Sequence, residues 1–269
     1  AARALEVTLP VGGGRARTVR ISASPRRSAR VEIPGRPPGA KAAEEILRLV
    51  SHILRLDEDL SGFYELARAD PDLKWAAEGA GRMVRSATVF EDVVKTICTT
   101  NCTWAATQRM VGAIVGHLGV RAAGAPAAGS RGRSFPSPEA LAAAPESFLR
   151  DVARAGYRAA YLRALASSVA EGSLDLERLV AANDDLADDQ VETELLALPG
   201  VGPYAAAHIM MTLGRHSRLI LDSWTRPKYA RLIGKRKVSD AAIERRFRSY
   251  GKYAGLAFWL YLTRDWVEA

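Results

Sequence analysis

Two stretches of this chain combine residue types and spacing that could do chemistry. Leu198-Pro199-Gly200-Val201-Gly202-Pro203-Tyr204 sets two glycines between prolines, and Asp222 follows twenty residues after Gly202 in Leu221-Asp222-Ser223-Trp224. Leu195, Leu196 and Leu198 close one amphipathic helix, the next four residues turn the chain, and Pro203 opens a second helix with its φ preset. Glycines at 200 and 202 allow backbone conformations barred to other residues. Bare amides then stand beside a helix N-terminus, where a phosphate oxygen can be bound by N–H groups and the helix dipole. Such donors belong to the backbone and read no base. A plain helix-turn-helix corner buried in a core is the competing reading, and Gly200, Val201 and Gly202 alone do not separate the two. Asp222 starts a further helical segment, where an aspartate can serve simply as an N-cap worth about 1 kcal/mol.

Tyr204, His208 and Met211 recur at helical spacing on one face of the second hairpin helix. That face is either core or the wall of a pocket. The two cysteines, Cys98 and Cys102, share one helix four residues apart. Their geometry disfavours a disulfide, and two thiols cannot by themselves hold a zinc or iron–sulfur site. They are expected to be reduced and structural. His52, His117, His208 and His216 lack metal-ligand spacing.

The elements that must position these residues are mostly helical. The chain has 269 residues, 48% of them hydrophobic, enough to bury a substantial core. Residues 1–38 read as a small antiparallel β-sheet. Alternating segments at Leu5–Leu9, Thr18–Ile21 and Arg30–Ile33 are separated by Gly12-Gly13-Gly14 and Pro25-Arg26-Arg27. Residues 39–269 read as a helical body of two subdomains flanking a cleft. Thr88 is the expected N-cap of a strong helix, with Glu91 completing a capping box. Further helices are expected over 103–118, from Ser137-Pro138, and over 145–154, 157–170, 173–181 and 187–197. The intervening stretch from Gly119 to Pro136 reads as a long, mobile loop carrying Arg131 and Arg133. A net charge of +8, from 38 Lys and Arg against 30 Asp and Glu, favours a polyanionic partner. No run is apolar enough to span a membrane, and the amino end shows no secretory pattern.

The hairpin with its following helix and Asp222 resembles the helix-hairpin-helix (HhH-GPD) DNA glycosylase superfamily. Ile97-Cys98-Thr99-Thr100-Asn101, Phe135-Pro136-Ser137, Gly156-Tyr157-Arg158-Ala159 and Tyr253-Ala254-Gly255 are similar, in order, to blocks of its 8-oxoguanine and 3-methyladenine branches. The resemblance implies a mainly α fold with an N-terminal antiparallel sheet. It also implies a monomer acting on double-stranded DNA that carries a damaged base, with no membrane partner. Location would follow the genome, cytoplasmic at the nucleoid in a bacterium or nuclear in a eukaryote.

By the same resemblance Asp222 is the catalytic group, stabilising positive charge on deoxyribose or orienting water. Bifunctional members carry a lysine where this chain has Tyr204, which implies a monofunctional hydrolase without β-lyase activity. Tyr204 and His208 match pocket aromatics of the alkylation-repair branch, and Trp224 with Phe258 or Trp259 would complete a base pocket suited to electron-poor alkylated purines. Asn101 matches the residue inserted into the base stack, and Tyr157 and Arg158 match residues at the orphaned partner base. Ala106 stands where the 8-oxoguanine branch has a second arginine. Backbone carbonyls of Leu196, Leu198 and Val201 match a site for a sodium or potassium ion. No cofactor is required, and the four-cysteine tail of iron–sulfur relatives is absent. The function implied is excision of damaged, alkylated purines in base excision repair. An oxidised-purine glycosylase and a non-catalytic hairpin DNA-binding protein are the alternatives.

Overall fold

The computed structural model describes residues 4–25, 28–181 and 185–266. Arg26 and Arg27 of the turn expected between the second and third strands lie outside the described residues. The described chain divides into two units, Ala1–Ile53 with Ser86–Glu177, and Leu54–Arg85 with Arg178–Ala269.

In chain order the elements are β1 (Ala4–Val11), β2 (Arg15–Ser24), β3 (Ser28–Glu32), α1 (Ala40–Leu54), α2 (Ser61–Arg68), α3 (Val89–Thr99), α4 (Trp104–Leu118), α5 (Pro138–Ala142), α6 (Arg158–Ala170), α7 (Arg178–Ala181), α8 (Asp188–Leu196), α9 (Pro203–Leu213), α10 (Thr225–Leu232), α11 (Asp240–Phe247) and α12 (Ala254–Thr263). The protein is mainly α with a three-stranded antiparallel sheet in the order β1-β2-β3.

In the first unit the β1 and β2 partners run from Ala4 opposite Ser22 to Val11 opposite Arg15, closing through the glycine turn. Leu9 and Val19 bury completely, and the Gly12 amide donates to Glu45 Oε2 of α1 at 3.0 Å. Burial of alternate side chains on one face is the pattern a half-covered sheet requires. Val93, Val94 and Ile97 of α3 and Ile114 of α4 are fully buried beside Leu162 of α6. Thr88 caps α3, its hydroxyl accepting from the Glu91 amide at 3.2 Å. The reciprocal half of the expected box is replaced: Glu91 takes Lys95 at 2.5 Å, one helical turn on.

Three local expectations change. The stretch 145–154 contains a short π-helical turn, Phe148–Val152, and 173–181 is α-helical only over α7. The Gly119–Pro136 loop is laced by Arg133, whose guanidinium donates to the carbonyls of Gly119, Ala127 and Gly129. A side chain with five donors ties down a backbone that glycine and alanine alone would leave loose.

In the second unit Phe63, Phe247 and Phe258 are fully buried in one cluster with Tyr229 and Tyr250. Gly255 lets α12 lie against the segment that leads to Asp222. Its amide donates to the His216 carbonyl at 2.7 Å, and a β-carbon there would stand 2.0 Å from the Arg218 carbonyl oxygen. The far end of α9 is held by Arg55, which donates to the Met211 and Thr212 carbonyls at 3.2 and 2.8 Å. Arg55 also grips Glu58 through two bonds of 2.9 Å, and Glu58 in turn meets His216 Nε2 at 2.7 Å. A cation at the C-terminus of a helix satisfies carbonyls that have no intrahelical partner.

Candidate active site

The hairpin is α8, a turn, and α9. Val191 and Leu195 of α8 and Ala205, Ala206 and Ile209 of α9 are buried. Small alanines permit close packing of α9. Gly200 has φ 77°, a left-handed conformation that favours glycine. Gly202 differs from expectation. It is the N-cap of α9 at φ −105° and ψ −176°, extended backbone open to any residue, and a β-carbon there would meet nothing within 4 Å. Its lack of a side chain therefore serves access and not conformation. Among the described residues the amides of Gly200 and Gly202 donate no hydrogen bond, whereas Val201 donates to the Leu198 carbonyl at 3.2 Å. The turn thus presents two open N–H groups at a helix N-terminus that starts with Pro203.

Asp222 is half-buried before α10. Its Oδ1 accepts from the Trp224 amide at 2.8 Å and the Thr225 amide at 2.6 Å, while its own amide donates to Thr225 Oγ1 at 2.8 Å. One carboxylate oxygen is thereby fixed at a helix N-terminus, and Oδ2 accepts nothing from the described residues. Capping and chemistry are not exclusive here, because they use different oxygens.

Four of the expected pocket aromatics come together. The Tyr204 and His208 rings lie 4.8 Å apart, edge to face, His208 lies 6.1 Å from Trp259, and Trp259 lies 5.9 Å from Trp224. Phe258 does not join them. It is fully buried, its ring 5.3 Å from Phe247 and 6.0 Å from Tyr229. Neighbours along a helix point about 100° apart, so Phe258 and Trp259 cannot serve one face. Trp266, which the sequence reading passed over, completes the group at 5.8 Å from Trp224 and 6.2 Å from Trp259. Its signal was present: it follows Trp259 by seven residues, two helical turns. Met211, sharing the face of Tyr204 and His208, is core.

Burial pushes the His208 imidazole down to about 4, against the opposing pull of the Asp222 charge. The ring is neutral at physiological pH. Lys228, six residues after Asp222, is engaged by Asp265 at 2.5 Å.

The other expected residues lie in the first unit. Asn101 has φ 47° and donates from Nδ2 to Tyr157 Oη at 3.2 Å. Arg158 is not turned to solvent. Only 6% exposed, it donates to Thr100 Oγ1 at 3.2 Å, to the Ala155 carbonyl at 3.3 Å and to the Thr100 carbonyl. Its guanidinium also stacks 4.5 Å from the Tyr157 ring centre. Cys98 and Cys102 are both free thiols, and burial pushes Cys98 up to about 12.

Comparison with known proteins points the same way. No family model matches the chain. It is 27% identical over 178 residues to a DNA-3-methyladenine glycosylase of Bacillus subtilis (strain 168), covering 65% of this chain and 56% of that protein. It is 26% identical over 230 residues to a probable N-glycosylase/DNA lyase of Methanothermobacter thermautotrophicus, covering 76% of this chain and 70% of that one. The chain thus spans little more than half the length of the Bacillus relative. Among solved structures, the 8-oxoguanine glycosylase/lyase of Clostridium acetobutylicum in its apo form superposes with a TM-score of 0.70 at 22% identity, over 95% of this chain and 87% of that one. The same protein has been solved with double-stranded DNA containing cytosine opposite 8-oxoG. At that identity the likeness speaks to the fold. The hairpin presents open amides, and a capped aspartate follows it in a helical body with an N-terminal sheet. The chain is thus similar in sequence to two glycosylases and in fold to a third.

Proposed function

We propose that this chain is a monofunctional DNA glycosylase of base excision repair, hydrolysing the N-glycosidic bond of alkylated purines in duplex DNA. The observation that carries the reading is Asp222, with Oδ1 fixed by two amides and Oδ2 open. Loss of the base leaves positive charge on the deoxyribose. A carboxylate already oriented stabilises that charge, or the water that attacks it, without reorganising at the moment of reaction.

The substrate class follows from the rings. Tyr204, Trp224, Trp259 and Trp266 offer π faces around a neutral His208. A positively charged alkylated purine gains cation–π attraction there, whereas a protonated imidazole would repel it. Such a base must first leave the stack. The open amides of Gly200 and Gly202 support binding of a backbone phosphate, and the +8 charge supports attraction to DNA.

Tyr204 carries no amine, and the Lys228 ammonium is paired with Asp265, so water is the nucleophile. The carbonyls of Leu196 and Val201 accept no backbone bond among the described residues and that of Leu198 accepts one, which leaves lone pairs for a sodium or potassium ion. Such an ion would add positive charge beside the phosphate. The site of action would be wherever the genome lies; no helix among the described residues is long and apolar enough to cross a membrane.

An oxidised purine is the second reading, favoured by the Asn101–Tyr157 bond in the first unit, since an amide there resembles the 8-oxoguanine branch. Base release from duplexes carrying a methylated purine or 8-oxoguanine separates the two readings, with Asp222→Asn as control. Release unchanged in Asp222→Asn would remove Asp222 as the catalytic group, and no release from any damaged duplex by the parent chain would leave only a DNA-binding role. Borohydride should trap no enzyme–DNA adduct, and an efficient adduct would reveal an amine nucleophile.

A further inference from the structure

Lys228 and Asp265 form an ion pair that takes no part in the reaction at Asp222. Lys228 Nζ and Asp265 Oδ2 stand 2.5 Å apart, the lysine side chain 14% and the aspartate side chain 52% exposed. A pair so open on one side adds little to stability, so its effect lies in what it places. Both ends neighbour a ring. Lys228 lies four residues after Trp224, the N-cap of α10, and side chains at that spacing share a helical face. Asp265 is followed directly by Trp266 in a short 3-10 turn, Arg264–Trp266, that continues from α12.

The start of α10 and this turn therefore meet at two points. Asp265 takes the ammonium, while the Trp266 ring lies 5.8 Å from Trp224 and 6.2 Å from Trp259. A ring contact alone leaves a side chain that is 59% exposed free to swing, whereas a second attachment at the preceding residue fixes the backbone that carries it. Arg264, the other charged residue of the turn, is engaged elsewhere, 5.0 Å over the Tyr261 ring and 3.5 Å from Asp72.

We propose that Lys228 is a positioning residue: through Asp265 it holds Trp266 as the exposed wall of the aromatic pocket, and an extruded purine is captured poorly when the pair is broken. The pairing also leaves no bare ammonium one turn from Trp224, where it would repel a cationic base. The inference rests on the glycosylase reading above, because it names what holds that pocket together.

The test compares the parent with Lys228→Met, Trp266→Ala and the double variant. Two quantities are measured: single-turnover base release from methylated duplex DNA, and affinity for a duplex carrying a tetrahydrofuran abasic analogue, which has no base to cover. Each single variant is expected to slow release by ~10-fold, the scale of one lost stacking contact, with abasic-site affinity and melting temperature at the parent level. The double variant should be no slower than Trp266→Ala, because Lys228 acts through that ring. Without any substrate, the indole N–H resonance of Trp266 should shift in Lys228→Met. Release at the parent rate in Lys228→Met, losses that simply add in the double variant, or an unmoved resonance overturns the inference while the glycosylase reading stands. No release by the parent from any damaged duplex overturns that reading and this inference with it.

Discussion

Asp222 and Thr225 cap each other: the Thr225 amide donates to Asp222 Oδ1 at 2.6 Å, and the Asp222 amide donates to Thr225 Oγ1 at 2.8 Å. Thr225 is fully buried, so its hydroxyl has no water to turn to. Thr225→Val removes that acceptor while keeping the shape, leaving the Asp222 amide unpaired. We expect destabilisation of about 1–2 kcal/mol and a fall in single-turnover base release of roughly tenfold for each 1.4 kcal/mol of misplaced carboxylate. DNA affinity should stay at the parent level. A Thr225→Val enzyme with undiminished release would show that the carboxylate is held by the Trp224 and Thr225 amides alone.

Gly202 has room for a side chain and a backbone any residue adopts. Gly202→Arg should therefore fold with the parent melting temperature yet block the two open amides. Binding should weaken uniformly on damaged and undamaged duplexes. Loss confined to damaged duplexes would place the hairpin at the base and not at the backbone.

Burial pushes the Asp92 carboxyl up to about 6 from 3.8, against the Ser86 amide that donates to both its oxygens at 3.0 and 3.3 Å. Its folded value lies above the unfolded one, so the native state takes up the proton first as pH falls, and this group adds stability between pH 6 and 4. At neutral pH the buried charge costs about 3 kcal/mol. Asp92→Asn keeps an acceptor for Ser86 and should gain most at pH 7, the difference from the parent shrinking toward pH 4. His208 has the opposite sign: depressed to about 4 from 6.5, it loses stability as pH falls through that range. Urea midpoints of the parent, Asp92→Asn and His208→Gln from pH 4 to 7 separate the two, and parallel curves would contradict both assignments.

Arg55 is 4% exposed and serves Glu58 and the end of α9 together. Arg55→Ala would leave the Glu58 carboxylate with His216 alone and release two carbonyls, and should cost about 3 kcal/mol in urea denaturation. Glu58→Gln with Arg55→Ala should recover part of that loss, and a strictly additive double variant would deny the coupling.

Much of the site was legible because it is local. The Leu198–Tyr204 turn and the i, i+4 pair Tyr204 and His208 follow from backbone rules that act within a few turns of chain, whereas the role of Asp222 was implied only by the family resemblance. The N-cap at Thr88 was equally readable, since its partner is three residues away. Phe258 was misassigned because composition gives an aromatic residue's type but not its direction, and the helix sends it to the core. Arg158 was assigned to DNA by resemblance, whereas its destination depends on where residues 100 and 155 fall in space. The π-helical turn at Phe148–Val152 leaves no propensity signature that separates it from an ordinary helix.

The contacts among Trp224, Trp259 and Trp266, at 5.8 to 6.2 Å, also make this chain its own optical instrument. Three indoles so close have coupled excited states, giving near-ultraviolet circular dichroism that depends on their mutual angles. A purine entering among them would quench their emission and alter that coupling at once, reporting base capture without any attached label.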